Sequence, residues 1–333
     1  MAGTRLLSYF QIGKEAIPGT AVAATKRFAP DLNGAFTIDW MKTYHEGRAT
    51  GTRTPISYST QRGTMVTINY RTPDDTGVAF DELPYFLHFP SGGTAGTGAS
   101  TDKTWGNAWG GAATGTALAL TIEFGDDVQN FEAEYCQPQR LRMSADAQGM
   151  TMLEADFFGR QATKSTKTTL SVLNAVRIPG YLWKPRFATT QAGLAGGSDV
   201  PNFLVSWDAD WTTGLVPRFY NDGLAYYGQT QESAAVSGTL HLVVESNATA
   251  ITQFYDKGAA GTVDFVQLKA TGTTLGASNY SAQLQFAVEY ETVTPLSSDS
   301  DGVNLYDISA RIVYDSTWGQ SIGSTVVCSL ATL

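Results

Sequence analysis

Met65-Val66-Thr67-Ile68-Asn69-Tyr70 alternates as a half-buried strand should, and Asp74-Asp75-Thr76 then offers the side-chain oxygens that begin helices. Phe80, Leu83, Phe86 and Leu87 follow at the spacing of one helical face, ahead of Gly92 and Gly93. The succession returns in the second half. Leu240-His241-Leu242-Val243-Val244 leads through Ser246-Asn247 to Ala248, Ile251, Phe254 and Tyr255, each of these four lying 168 positions after its counterpart. A short amphipathic helix in a strand-rich chain needs a sheet to cover, so two at half-chain spacing predict two copies of one β-rich unit. Aligning Gly63 with Gly238 sets Val66 and Ile68 against His241 and Val243, so the helices match better than the strands.

Composition agrees with that reading. The 333 residues, 42% of them hydrophobic, can bury one large core or two ordinary ones. Thirty-four glycines and only 16% charged residues indicate short strands and many turns. The fold class expected is all-β: two tandem β-sandwich or barrel domains, each with one short α-helix. Residues 1–35 read as an N-terminal arm with a turn at Pro18-Gly19. Residues 36–175 read as the first domain, opened by Phe36, Ile38 and Trp40 and carrying a polar, basic excursion from Lys42 to Arg62. A long inserted loop spans 90–116, and its Trp105 and Trp109 should pack on their own domain or on a neighbouring subunit. Residues 176–333 hold a connector, Val176 to Trp183, that joins a sheet, and a second domain in which Phe203, Val205 and Trp207 parallel Phe36, Ile38 and Trp40.

The start, Met1-Ala2-Gly3-Thr4-Arg5-Leu6-Leu7-Ser8, has no signal-like apolar run, and no stretch approaches a membrane span, so a soluble protein is expected. Cys136 and Cys328 are far apart, without CxxC spacing or a nearby histidine, and read as free buried thiols. A net charge of −9 opposes tight binding to nucleic-acid phosphates. The charge is uneven: residues 1–62 hold eight basic and four acidic residues, whereas residues 188–333 hold four basic and fourteen acidic. Solvated surface explains this; so does head-to-tail contact between unlike ends of identical subunits.

Tests for chemistry come out negative. Gly319-Gln320-Ser321-Ile322-Gly323 fits the GxSxG pattern, but Ser324-Thr325-Val326-Val327-Cys328 after it reads as a strand, not the helix a nucleophile elbow needs. His45, His88 and His241 are too scattered for a metal site, Asp299-Ser300-Asp301-Gly302 lacks the remaining ligands of a calcium loop, and Asp208-Ala209-Asp210 should direct both carboxylates to a wet face. No phosphate-binding glycine motif is present, and the sequons at Asn247 and Asn279 carry no meaning without secretion. No catalytic, cofactor-binding or metal-binding residue is assigned, and no enzyme is expected.

The run Gly13-Lys14-Glu15-Ala16-Ile17-Pro18-Gly19-Thr20-Ala21-Val22-Ala23-Ala24-Thr25-Lys26-Arg27, with Asp81-Glu82-Leu83-Pro84-Tyr85-Phe86-Leu87 before a glycine pair, resembles the tail tube proteins (major tail proteins) of long-tailed bacteriophages. The resemblance covers about the first ninety positions; the repeat extends it to the rest. It implies a structural virion subunit whose sheets line a central channel, in rings that stack head to tail into a tube passing genomic DNA without specific binding. Two domains per chain would make a homotrimer ring with pseudo-sixfold symmetry. Implied partners are copies of the chain itself and the tape measure, tail completion and tip proteins; the implied location is the viral tail, assembled in the host bacterial cytoplasm, with no membrane and no cofactor. The long 90–116 insertion and unequal loops depart from a strict repeat. A virion surface decoration protein or carbohydrate-binding β module is the alternative, and it would need an exposed aromatic platform such as Trp105 with Trp109.

Overall fold

The computed structural model describes residues 8–30, 36–47, 56–61, 64–91, 94–98, 102–110, 118–173, 175–201, 203–220, 229–232, 235–247, 250–298 and 302–333. The chain is all-β with little helix. Its first half runs β1 (Tyr9–Lys14), β2 (Lys26–Phe28), β3 (Phe36–Asp39), β4 (Lys42–Gly47), β5 (Ile56–Gln61), β6 (Met65–Arg71), α1 (Leu83–Ser91), β7 (Thr94–Thr97), β8 (Lys103–Trp109), β9 (Leu120–Gly125), β10 (Asn130–Asp146), β11 (Met152–Gly159) and β12 (Gln161–Lys164). The second half runs β13 (Trp183–Ala188), α2 (Gln191–Gly196), β14 (Leu204–Thr212), β15 (Leu215–Arg218), β16 (Gln229–Glu232) and β17 (Gly238–Glu245). A π-helical stretch, Ile251–Asp256, then continues into α3 (Lys257–Ala260), followed by β18 (Asp264–Leu275), β19 (Ser278–Ser298), β20 (Asn304–Ile312) and β21 (Ile322–Cys328).

The strand pairings repeat. β3 pairs with β6, β6 with β11 and β11 with the second half of β10; likewise β14 pairs with β17, β17 with β20 and β20 with the second half of β19. The first half of β10 lies between β9 and β12, as that of β19 lies between β18 and β21. β1 edges β9 as β13 edges β18, and the hairpin β4–β5 leaves the repeat at the same point as β15–β16. One strand serves two layers because it bends: β10 shifts register between Ala133 and Cys136 and again between Pro138 and Arg140. Tyr135, at the bend, takes φ 53°, a conformation rare for a bulky side chain, and its N–H donates to Glu15 Oε1 at 2.7 Å.

One apolar core runs through both halves. Phe86 packs on Phe28, Tyr70 and Phe157 in the first half, and Phe254 on Phe187, Phe203 and Tyr290 in the second.

Several expectations change. Of the segment read as an arm, residues 8–28 lie on the chain's own first half: β1 sits between β2 and β9, and Tyr9, Phe10, Ile12 and Phe28 are buried. The buried carboxylates of Glu15 and Glu123 fasten it, Glu15 accepting from Gly19 N–H and Glu123 from Ala24 N–H. Asp74 to Thr76 form a turn closed by Thr76 N–H on the Pro73 carbonyl, so α1 begins nine residues after Asp74 and Asp74 pairs with Arg71 instead. The 90–116 insertion holds β7 and β8, and Trp105 and Trp109 are buried where β8 pairs with β21. The strand register also moves by one residue. Val66, Ile68 and Tyr70 are buried in β6 and Leu240, Leu242 and Val244 in β17, an offset of 174 where the glycine alignment implied 175.

Candidate assembly edges

Besides the β8–β21 pairing, the two halves are joined by an antiparallel ladder between β10 and β14, from Arg140↔Thr212 to Asp146↔Ser206. On its solvent face Arg140 Nε and Nη2 donate to Asp210 at 2.8 and 2.5 Å, and Arg142 Nε and Nη2 donate to Asp208 Oδ2 at 2.8 and 2.6 Å. Arg140 also reaches Asp156 at 3.4 Å and Arg142 reaches Glu154 at 3.6 Å. The bond to Asp210 holds the Arg140 guanidinium above its ordinary pKa, and Asp208 acts likewise on Arg142. The Asp208 and Asp210 carboxylates therefore reach the wet face anticipated for them, but as halves of ion pairs. On the core face the ladder buries Trp207, Ala209 and Trp211 of β14.

The repeat identifies what these three residues correspond to in the first half. Ile68 and Leu242 are equivalent, and their partners are Phe36 and Trp207; Val66 and Leu240 are equivalent, and their partners are Ile38 and Ala209. Two residues further along stand Trp40, just past the end of β3, and Trp211, within β14. Trp211 is 1% exposed and Trp40 is 55% exposed. The difference lies in the neighbour: β14 is covered by β10, whereas among the described residues β3 pairs with β6 alone. Beside this bare edge Phe36, Ile38, Trp40, Phe124 and Phe131 line an open groove of about 490 Å³, in which Phe36 stacks on Phe124 at 4.0 Å.

The complementary edge is on β19. Its ladder with β18 ends at Val288↔Asp264, and from Glu289 to Ser298 only β20 pairs with it among the described residues. The matching stretch of β10 is the one that β14 covers. Among the described residues, then, the β10–β14 pairing has no repeat on the matching edges of β3 and β19. Unpaired edges of this kind are templates for a further strand.

The other residues singled out in the sequence have these surroundings. Ser321 is buried and its N–H donates to the Trp109 carbonyl; Gly319 turns the chain at φ 76° and β21 follows. His88 is buried and bonds Asn107 Oδ1 at 3.0 Å, and Asn107 donates to Ser324 Oγ, so this polar chain stitches α1, β8 and β21 together. Burial lowers the His88 pKa. His241 bonds Asp307 at 2.6 Å on the solvent face. Cys136 and Cys328 are buried and free. Among the described residues no group of three or more metal-ligating side chains comes together, and no helix is long and apolar enough to cross a membrane. The side chain of His45 and the segment Asp299 to Asp301 lie outside the described residues. The bare edges were legible in sequence only through the repeat: the signal was Trp40, which the 167-residue match to Trp207 paired with the wrong tryptophan.

Comparison with protein-family models and with curated proteins finds no match to this chain.

Proposed function

We propose that this chain is the structural subunit of a bacteriophage tail tube, assembling through its own edges into stacked rings around a channel that passes DNA. The observation that carries the reading is the unmade joint: β3 with its exposed Trp40 at one flank and the open edge of β19 at the other, the same two elements the chain already joins internally as β14 and β10. A contact repeated head to tail in this way is heterologous and closes when the rotation allows. Three chains supply six units, and the resemblance to tail tube proteins selects that number.

Ring closure would extend the eight-strand ladder β3–β6–β11–β10–β14–β17–β20–β19 around the axis. At about 4.8 Å per strand, twenty-four strands make a cylinder roughly 37 Å across between backbones before tilt widens it, enough for a side-chain lining and a DNA duplex. The charged face of the ladder is the lining. Arg71, Arg140 and Arg142 on it each meet a carboxylate, from Glu154, Asp156, Asp208 or Asp210. Arginines neutralised in this way have little left with which to grip phosphates, the property a conduit for DNA requires.

The decoration or carbohydrate-binding alternative loses the aromatic platform proposed for it, because Trp105 and Trp109 are buried. Negative-stain electron microscopy of the concentrated protein tests the proposal. Hollow tubes or stacked rings of uniform diameter are the expected result; monomers, or closed oligomers that never stack, would overturn it.

A further inference from the structure

The helix in each half packs through an aromatic hub, Phe86 or Phe254, and these lie 168 positions apart. At the same offset Leu83 corresponds to Ile251 and Leu87 to Tyr255. Leu83 and Leu87 are completely buried, whereas Ile251 is 47% and Tyr255 58% exposed. The sequence placed all of them on apolar faces. In the second half, the buried positions among the described residues of this helix are Ala250 and Phe254 instead, Ala248 lying outside them.

The contrast has a local cause. α1 is roofed by β8 and by parts of the second half: it packs on β21, Asp81 just before it accepts hydrogen bonds from the N–H and hydroxyl of Ser329, and Phe80 rests on Tyr280 and Gly272 at the β18–β19 hairpin. Among the described residues no element of this chain covers Ile251 or Tyr255 on the helix of the second half. That helix also has no counterpart of β7 and β8, because the chain passes from α3 at Ala260 to β18 at Asp264.

We infer that the face bearing Ile251 and Tyr255 docks against the first half of a second copy of this chain, at the elements equivalent to those that cover α1. The counterpart of β21 is β12, since both pair with the first half of the long strand. The counterpart of the β18–β19 hairpin is the β9–β10 turn, whose tip carries Val128, 48% exposed. One copy's second-half helix thus lies over the next copy's Gln161–Lys164 and Val128. The inference rests on the ring reading above and adds a contact separate from the strand edges. It also makes the joints of a ring unequal: the joint within a chain is completed by β8, and the joint between chains by this helix face.

The test uses full-length protein and two readouts. Ile251→Glu combined with Tyr255→Glu changes exposed side chains only, so circular dichroism and the thermal midpoint should match wild type while assembly, read by sedimentation, falls at least tenfold at equal concentration. In a second variant, Tyr255→Cys with Lys164→Cys, a short bismaleimide should link chains into dimers and trimers on a denaturing gel, and dilution below the assembly threshold should abolish the links; the native cysteines are buried bystanders. Wild type that assembles, with a double-glutamate variant that assembles equally well, would overturn the docking and leave the ring reading standing. Wild type that stays monomeric at every concentration would overturn both.

Discussion

Trp40 and Trp211 occupy the same place in two copies of one pattern, and the consequences of removing them should differ in kind. Trp211→Ala opens a cavity in the core beside Trp109 and Phe286 and should cost about 3–5 kcal/mol in urea unfolding. Trp40→Ala should leave the monomer within about 0.5 kcal/mol of wild type, since the side chain is already half in water, and weaken assembly instead. Equal losses of monomer stability would refute the equivalence. Buried carboxylates give a second contrast. Glu82 is 2% exposed and pairs with Arg177 at 3.0 Å, binding α1 to the connector before β13. Burial raises the Glu82 pKa and Arg177 opposes that rise. Arg177→Met would leave the carboxylate unpaired and should destabilise by about 3 kcal/mol. Glu15 is likewise raised by burial, against the hydrogen bonds it accepts from Tyr135 and Gly19. A carboxyl raised in the fold favours folding while protonated, so stability should fall as pH climbs from the unfolded value, about 4.3, through the raised one. Glu15→Gln should flatten that slope in a pH series of unfolding midpoints.

At the scale of elements, the joint between β10 and β14 combines an apolar face with an ionic one, and the two contribute unequally. The arginines and aspartates are 26–41% exposed, so each pair is worth well under the figure a buried pair would carry. Replacing Arg140 and Arg142 together by Met should cost about 1–2 kcal/mol at low salt, mostly because Glu154, Asp156, Asp208 and Asp210 would then repel one another, and the difference should shrink in 1 M salt. A cost unmoved by salt would show that the apolar stems do the holding. Sequence showed some of these elements clearly. β6 and β14 announce themselves by alternation on a one-sided sheet, while the outward Val243 blurs the period of β17. β8 alternates as well, Trp105, Asn107 and Trp109 facing inward, but the glycines and threonines around it hid the period. In β10 the run Gln137-Pro138-Gln139 looks like a break in sequence; the structure makes it a double bulge in one strand shared by two layers. The onset of α1 was illegible for another reason: a capping aspartate signals a helix only where the backbone proceeds to helical turns, and Pro73 to Gly77 close a turn of their own.

Across the whole molecule, fusing two units in one chain allows the two joints to diverge, and they have done so at defined positions. Arg140 bridges Asp156 of its own half and Asp210 of the next. Through the pairings Asp156↔Arg140 and Asp307↔Thr294, the counterpart of Arg140 is Thr294; through Asp210↔Thr239 and Asp39↔Met65, the counterpart of Asp210 is Asp39. The joint proposed between chains therefore keeps both carboxylates, Asp307 within the chain and Asp39 of the neighbour, and lacks the cation between them. Thr294→Arg should supply it. The new guanidinium would lie on the solvent face between Asp307 and the neighbouring Asp39, at the cost of competing with His241 for Asp307. Because such a pair is partly exposed, its gain should be about 0.5–1 kcal/mol, a two- to fivefold drop in the concentration at which assemblies appear by light scattering at low ionic strength. The gain should vanish in the Thr294→Arg, Asp39→Asn double variant and fade in high salt. A Thr294→Arg protein that assembles no better than wild type at low salt, with its fold intact, would place Asp39 away from β19 and break the proposed register of the ring.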